Sequence, residues 1–278
     1  MSHHAMTEEP SRKVKTQNPR DYTVQIRVTG TDEIVGTGVA VDATRVVTCA
    51  HVVKAATGAA PCAGSDAQLD VYYPQAVGSG AEKTRTARVD ACFPAHDDDV
   101  VLLALEGSAP LGPEQFPALG YAEPSAGHKF RAYGYKRLGK YQAGHAYGTV
   151  MGCVECPPGF TLQADPVELD SPHLAGGMSG AGVLDTARNL VVGLVSEVFF
   201  TPEHENRDVG WAVDAQVLAF DPVNLPLADV AQPKAEAPTP PELPDPRLGL
   251  LRPREPLALH GAPPVLEEWV GRDDLLAA

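Results

Sequence analysis

From Tyr22 to about Phe220 the chain is built of short apolar runs separated by Gly, Pro and Asp, with few long segments of helical period. Representative runs are Tyr22-Thr23-Val24-Gln25-Ile26-Arg27-Val28, Gly38-Val39-Ala40-Val41 and Arg45-Val46-Val47-Thr48. Val100-Val101-Leu102-Leu103-Ala104-Leu105, Leu190-Val191-Val192-Gly193-Leu194-Val195 and Gly210-Trp211-Ala212-Val213 follow. β-Branched side chains suit a pleated, half-buried surface, and turn formers bound each run, so these segments predict strands. Many short strands with few helices predict an all-β sandwich or barrel, and about 200 residues is room for two small barrels packed together. Asp214 to Phe220 is expected to begin a short closing helix.

The pattern changes at both ends. Residues 1–20 are polar and read as a flexible arm. From Pro222 to Pro264 prolines recur every few residues, as in Ala237-Pro238-Thr239-Pro240-Pro241-Glu242-Leu243-Pro244. Proline removes backbone donors and holds the chain extended, so 223–264 predicts a semi-rigid linker after a 21–222 domain. Val265 to Ala278 has an amphipathic helical pattern and stops within it, which leads us to expect the truncated start of a further domain over 265–278.

Composition narrows the function classes. With 44% hydrophobic and 21% charged residues, the chain has the make-up of a globular protein. Its formal net charge of −14 argues against nucleic acid or an anionic membrane as main partner, since both favour basic surfaces. It contains no apolar run of bilayer-spanning length, and its first residues lack a secretion signal, so a cytoplasmic location is expected. Five cysteines do not form a disulfide framework. Cys153 and Cys156 form a CxxC, but no second CxxC or spaced His pair completes a zinc site and no βαβ pattern supports a redox pair. They read as reduced thiols near a hairpin.

Three segments carry candidate chemistry. Ala175-Gly176-Gly177-Met178-Ser179-Gly180-Ala181-Gly182 sets a serine on a glycine-rich turn, where an exposed hydroxyl and nearby backbone N–H groups face one small space. Val46-Val47-Thr48-Cys49-Ala50-His51-Val52-Val53 puts a histidine directly after a β-rich run. Ala95-His96-Asp97-Asp98-Asp99-Val100-Val101 puts acids directly before another. A serine hydroxyl is a poor nucleophile until an imidazole removes its proton, and the imidazole needs a carboxylate to set its tautomer. The order His, Asp, Ser on an all-β chain is that of the chymotrypsin scheme.

The sequence resembles the trypsin-like serine peptidases, nearer their bacterial HtrA-type branch than the digestive enzymes. Gly36-Thr37-Gly38-Val39-Ala40-Val41 before Thr48-Cys49-Ala50-His51 matches the family's first barrel, and Asp99-Val100-Val101-Leu102 its acid-plus-strand motif. Gly177-Met178-Ser179-Gly180 matches its Gly-x-Ser-Gly. Gly193-Leu194-Val195-Ser196, then Gly210-Trp211-Ala212-Val213, match the strands beside its specificity pocket. Over roughly residues 20 to 220 the resemblance implies two packed six-stranded β-barrels of chymotrypsin type, with a short C-terminal helix and a Pro-rich tail.

It further implies site roles. His51 would be general base and then acid, Ser179 the nucleophile, and the N–H groups of Gly177 and Ser179 the oxyanion hole. Asp99 would orient His51, with Asp97 and Asp98 competing for that role. Asp99 is preferred because the family's acid immediately precedes the apolar strand, which assigns its neighbours to the exposed loop. Ser196 would sit behind the Asp–His pair and help bind substrate backbone. His173 would fall near the floor of the primary pocket and Val198 near its mouth, favouring a small or modest P1 residue; Glu197 would recruit a basic one instead. Digestive trypsins carry aspartate before the serine to trap a newly cleaved N-terminus, whereas this chain has Met178. Activation by N-terminal clipping is therefore not expected. No metal and no cofactor are implied.

Three further patterns remain. Gly134-Tyr135-Lys136-Arg137-Leu138-Gly139-Lys140 imitates a phosphate-binding loop, but Tyr141 stands where the magnesium-binding Ser or Thr belongs. It reads as a basic hairpin of the second barrel. His96, His128, His145 and His204 show no ligand spacing and default to surface or loop positions. Trp269-Val270-Gly271-Arg272-Asp273-Asp274-Leu275-Leu276 resembles the opening of STAND-type signalling ATPases, which implies a peptidase effector joined to a regulatory nucleotide-driven switch. Its partner would be a protein substrate such as a pro-toxin or pore-forming protein, in a bacterial antiviral defence or signalling setting. The alternatives are an HtrA-like quality-control peptidase and a catalytically silent trypsin-like binding module.

Overall fold

In a computed structural model, residues 16–93, 95–138, 140–156, 158–196 and 209–228 are described. A one-turn helix α1 (Pro19–Tyr22) leads into strands β1 (Thr23–Arg27), β2 (Ile34–Ala40) and β3 (Arg45–Thr48). Helix α2 (Ala50–Thr57) precedes β4 (Gln68–Tyr72), β5 (Thr84–Cys92) and β6 (Val101–Leu105). The second half comprises β7 (Lys129–Leu138), β8 (Lys140–Cys153), β9 (Val167–Asp170), β10 (Gly182–Asp185), β11 (Leu190–Val195) and β12 (Val209–Asp214). Each half closes on itself: β1-β2-β3-β6-β5-β4 forms one antiparallel barrel and β7-β8-β9-β12-β11-β10 the other. Closure removes free strand edges. The fold is all-β and chymotrypsin-like, as expected from the sequence.

Three apolar clusters hold this arrangement. Val24, Ile26, Val46, Leu69, Val71 and Leu103 fill the first barrel, together with Val52 and Val53 of α2. Phe130, Val150, Leu169, Met178, Val183 and Val192 fill the second. The third lies between barrels, where Val39, Val47 and Leu102 of one meet Leu184, Leu194 and Val213 of the other. A strand buried on both sides is apolar throughout, which is why β11 shows no alternation and all six of its residues are buried. β5, with one face wet, alternates over its second half.

The ends differ from the composition boundaries. Gln17, inside the expected arm, donates its backbone N–H to Asn189 Oδ1 (2.7 Å) and its side-chain amide to Asn189 O (2.6 Å). Val223 and Leu225, inside the expected linker, are buried in the cluster between the barrels. The packed chain therefore runs past residue 222, because two apolar side chains outweigh local proline content. The expected closing helix is a 3-10 turn, Ala215–Ala219, capped by the Asp214 carboxylate on Gln216 N–H at 2.8 Å. The remaining linker and the ATPase-like segment lie outside the described residues. No helix among the described residues is long and apolar enough to cross a membrane.

Candidate active site

His51 is the second residue of α2, an element the strand pattern had hidden. The helix ends at Gly58, whose φ of 76° lets its N–H return to Lys54 O at 2.9 Å. Its start is held by a carboxylate from the loop before β6: Asp99 Oδ1 accepts the His51 backbone N–H at 3.0 Å. The first turn of a helix has N–H groups without helical partners and a positive dipole end, and Asp99 satisfies both. Its other oxygen, Oδ2, lies 2.7 Å from His51 Nδ1 and 2.7 Å from Ser196 Oγ, which donates to it. A carboxylate oxygen accepts, so this contact favours the imidazole tautomer that carries its proton on Nδ1. Asp99 is 4% exposed and His51 35% exposed at the side chain, so the ring alone of the pair reaches the surface.

The other two acids do different jobs. Asp97 is exposed and its Oδ2 accepts Thr161 N–H at 2.7 Å. Asp98 was expected on the exposed loop but is 5% exposed. Its Oδ2 accepts Gln163 N–H at 3.0 Å, and burial raises its pKa. Both pin the 161–163 loop, leaving Asp99 alone on His51.

Ser179 follows a tight turn in which Met178 N–H returns to Ala175 O at 3.1 Å and Gly177 has φ +92°. The Gly176 carbonyl accepts Arg137 N–H at 2.7 Å. A trans peptide carries its N–H on the side opposite its carbonyl, so this bond turns Gly177 N–H away from β7. Met178 points inward and is fully buried in the second barrel. An apolar anchor thus occupies the place where a carboxylate would need an ionic partner. Ser179 Oγ is buried and has no hydrogen-bond partner among the described residues. Ser179, Gly177 and His51 line one cleft of about 540 Å³ with Glu33, Ile34, Val35, Ala55, Arg137 and Tyr141. Tyr141 OH donates to Val35 O at 3.2 Å, linking barrel two to barrel one across it.

Thr37 has a task that its motif, Gly36-Thr37-Gly38, does not disclose. Its N–H donates to Ser179 O at 3.0 Å and its hydroxyl to Gly177 O at 3.3 Å. It also accepts Tyr135 N–H at 3.1 Å, while Thr48 Oγ1 donates to its carbonyl at 2.7 Å. Thr37 therefore holds the serine turn from the opposite barrel. A buried hydroxyl between two glycines was the only local signal. Two polar contacts away from the cleft were equally invisible. His128 Nδ1 lies 2.7 Å from Asp185, which is fully buried, so His128 is not a simple surface histidine. Asp214 is 3% exposed, and burial pushes its pKa up to about 6 against hydrogen bonds from Gln216, Ala122 and Cys153.

Of the expected primary-pocket residues, the described part of the chain includes His173 alone. His173 is exposed, with Nδ1 3.2 Å from Tyr147 O, and does not line the cleft that holds Ser179. Its neighbour Ser171 donates to the same carbonyl, which ties this turn to β8. Glu197, Val198 and His204 lie outside the described residues. None of the five cysteines forms a disulfide, Cys153 and Cys156 included. Lys136 and Arg137 belong to the β7–β8 hairpin, where no helix follows, so the phosphate-loop pattern is a basic hairpin.

Comparison with known proteins agrees with this architecture. The family model for the trypsin-like peptidase domain matches residues 36–194. Curated proteins gave no significant match. Among solved structures, Deg5 superposes with a TM-score of 0.52 at 20% identity, covering 72% of this chain and 86% of its own. The Rv3671c protein of M. tuberculosis H37Rv, solved as an inactive serine-to-alanine mutant, gives 0.50 at 23% identity, covering 72% and 84%. These likenesses are of fold.

Proposed function

Because the chain belongs to the trypsin-like peptidase domain family, we propose that it is a serine endopeptidase working through an acyl-enzyme formed on Ser179. The observation that carries this reading is the Asp99–His51 pair at 2.7 Å, beside a cleft that His51 shares with Ser179. Asp99 holds the proton on Nδ1 and so keeps Nε2 a base. His51 takes the hydroxyl proton as Ser179 Oγ attacks the carbonyl carbon, and returns it to the leaving amine. The carbonyl oxygen becomes an oxyanion, for which the N–H groups of Gly177 and Ser179 supply the donors; the anchored Gly176 carbonyl favours that orientation. Water then repeats the sequence to free the acid. Ser196 completes the donors around Asp99 and keeps the carboxylate directed at His51. The unpartnered Ser179 hydroxyl gains its bond to His51 as substrate closes the site, since such bonds are often loose without substrate.

We further read the domain as the effector of a larger regulated protein, cleaving a protein partner. Buried Met178 supports control from outside the barrels, because no carboxylate stands beside the serine to trap a new N-terminus. The Trp269 to Leu276 resemblance supports an ATPase as the regulator, and a complete phosphate loop downstream in the parent chain is its test. For the chemistry, a fluorophosphonate probe should label Ser179, located by mass spectrometry, with loss of label in Ser179→Ala and a strong fall in His51→Ala. No labelling in any state, including the full-length parent with its trigger, overturns the enzyme reading in favour of a silent binding module.

A further inference from the structure

Cys49 has no part in the mechanism above, yet it is fully buried directly behind the reacting pair. Its Sγ lies 3.3 Å from Val195 O. Cys49 Sγ, a His51 ring nitrogen and an Asp99 carboxylate oxygen all lie within 4.8 Å of one another. Among the described residues no other group of three His, Cys, Asp or Glu side chains brings its ligand atoms so close. We propose that Cys49, His51 and Asp99 form an inhibitory site for a thiophilic divalent cation of the zinc and cadmium class. This rests on the catalytic reading of His51 and Asp99.

The geometry is near what one ion requires. Zinc binds thiolate sulfur at about 2.3 Å and imidazole nitrogen or carboxylate oxygen at about 2.0–2.2 Å, so tetrahedral neighbours stand roughly 3.4–3.6 Å apart. The widest separation, within 4.8 Å, exceeds that by no more than about 1.4 Å, and the His51–Asp99 contact of 2.7 Å must open by less than one. The exposed His51 ring lines the cleft and gives the ion its way in. Charge balances too. A thiolate and a carboxylate neutralise a divalent cation, so the filled site carries no net charge into a buried place. Soft sulfur selects zinc or cadmium over magnesium and calcium, which take oxygen ligands.

Binding would silence the enzyme through the tautomer. The thiol proton leaves to solvent as the metal–sulfur bond forms, and the metal takes the Nδ1 position. The imidazole proton is thereby shifted from Nδ1 to Nε2, the atom that must accept the Ser179 proton. Asp99 is occupied as a ligand at the same time. Only the thiol S–H and the imidazole Nδ1–H break, the latter proton re-forming on Nε2, so chelation and reprotonation of the thiol restore the original state.

The experiment uses the full chain with the exposed or half-exposed Cys62, Cys153 and Cys156 replaced by Ser. Fluorophosphonate labelling of Ser179 is followed against cadmium, zinc and magnesium, with and without chelator, in this protein and its Cys49→Ala and Cys49→Ser forms. Cadmium and zinc should block labelling, magnesium should not, and chelator should restore it. Both Cys49 variants should label normally and need at least roughly 100-fold more metal, beyond the cost of outer-shell changes at metal sites. Equal sensitivity in the variants overturns the proposal and puts the ion elsewhere. Ultraviolet cadmium–thiolate absorption provides a readout independent of activity, present with Cys49 and absent from both variants. If no form of this chain labels even without metal, the absorption alone decides the site, and the enzyme reading is left to the triggered full-length parent. Absence of the absorption change in the Cys49 protein refutes the site. Cys49→Ser retains a side chain of similar size should Cys49→Ala fold poorly.

Discussion

Asp214 should make the protein lose stability as the solution becomes less acidic through the mildly acidic range. The residue ends β12 and caps the following turn, with its carboxylate near Ala122 N–H (3.1 and 3.2 Å), Gln216 N–H (2.8 Å) and Cys153 Sγ (3.7 Å). Burial is the largest influence and raises its pKa from 3.8 to about 6 despite those donors and the more distant Arg188. Between these values the folded chain holds a proton that the unfolded chain has released. Stability from this group is thus fullest below pH 4 and falls as pH rises through about 6. The shift of 6 − 3.8, about 2.2 units at 1.36 kcal/mol each, amounts to about 3 kcal/mol. Asp214→Asn removes the titration while keeping one acceptor oxygen for the cap. Urea unfolding of both proteins across the range, followed by tryptophan fluorescence and extrapolated to water, isolates the residue. The stability of wild type minus that of Asp214→Asn should fall by about 2.4 kcal/mol between pH 4 and pH 7.5, the rest of the span lying below pH 4. A difference that stays flat, or grows with pH, refutes the argument.

Asp99→Asn should slow fluorophosphonate labelling by a factor on the order of 10⁴, because the amide favours the wrong imidazole tautomer. Asp97→Asn should label normally, and Asp98→Asn should lower the melting temperature while labelling normally; equal losses in all three sink the assignment. Gly180→Ala should abolish labelling and destabilise the fold. Gly180 has φ +86°, and a Cβ there would run into the Thr37 carbonyl oxygen and lie 2.7 Å from Thr48 Oγ1. An unchanged melting temperature would show the turn to be more yielding than this geometry implies. Asp185→Ala should cost about 2–4 kcal/mol in urea unfolding, since it strips acceptors from His128 and from the Ala187 and Arg188 N–H groups. A loss no larger than that of His128→Ala would mean the two N–H groups find water instead.

Much of the barrel architecture was legible because strand formation leaves a local record. β3, β6, β11 and β12 coincide closely with apolar runs bounded by turn formers. The candidate trio was legible for a different reason: the chemistry demands particular residue types, and their order along the chain narrows the scheme. α2 was not, because Ala50-His51-Val52-Val53 contains residues that suit a strand equally well, and an Asp99 oxygen from a loop distant in sequence holds its first turn. Asp98 shows the same limit. Three successive aspartates look alike in sequence, and only packing against Gln163 buries the middle one away from His51.

By itself, the sequence determined the strand-rich class, the composition boundary near residue 222 and the residue types available for acyl transfer. Those follow from side-chain periodicity, proline content and intrinsic reactivity, all local properties. Tertiary structure decided which aspartate meets the imidazole, how Thr37 holds the serine turn from the other barrel, and that Cys49 lies behind the pair. Each depends on residues far apart in the chain converging at the junction of two closed sheets, and a local pattern carries no record of that convergence.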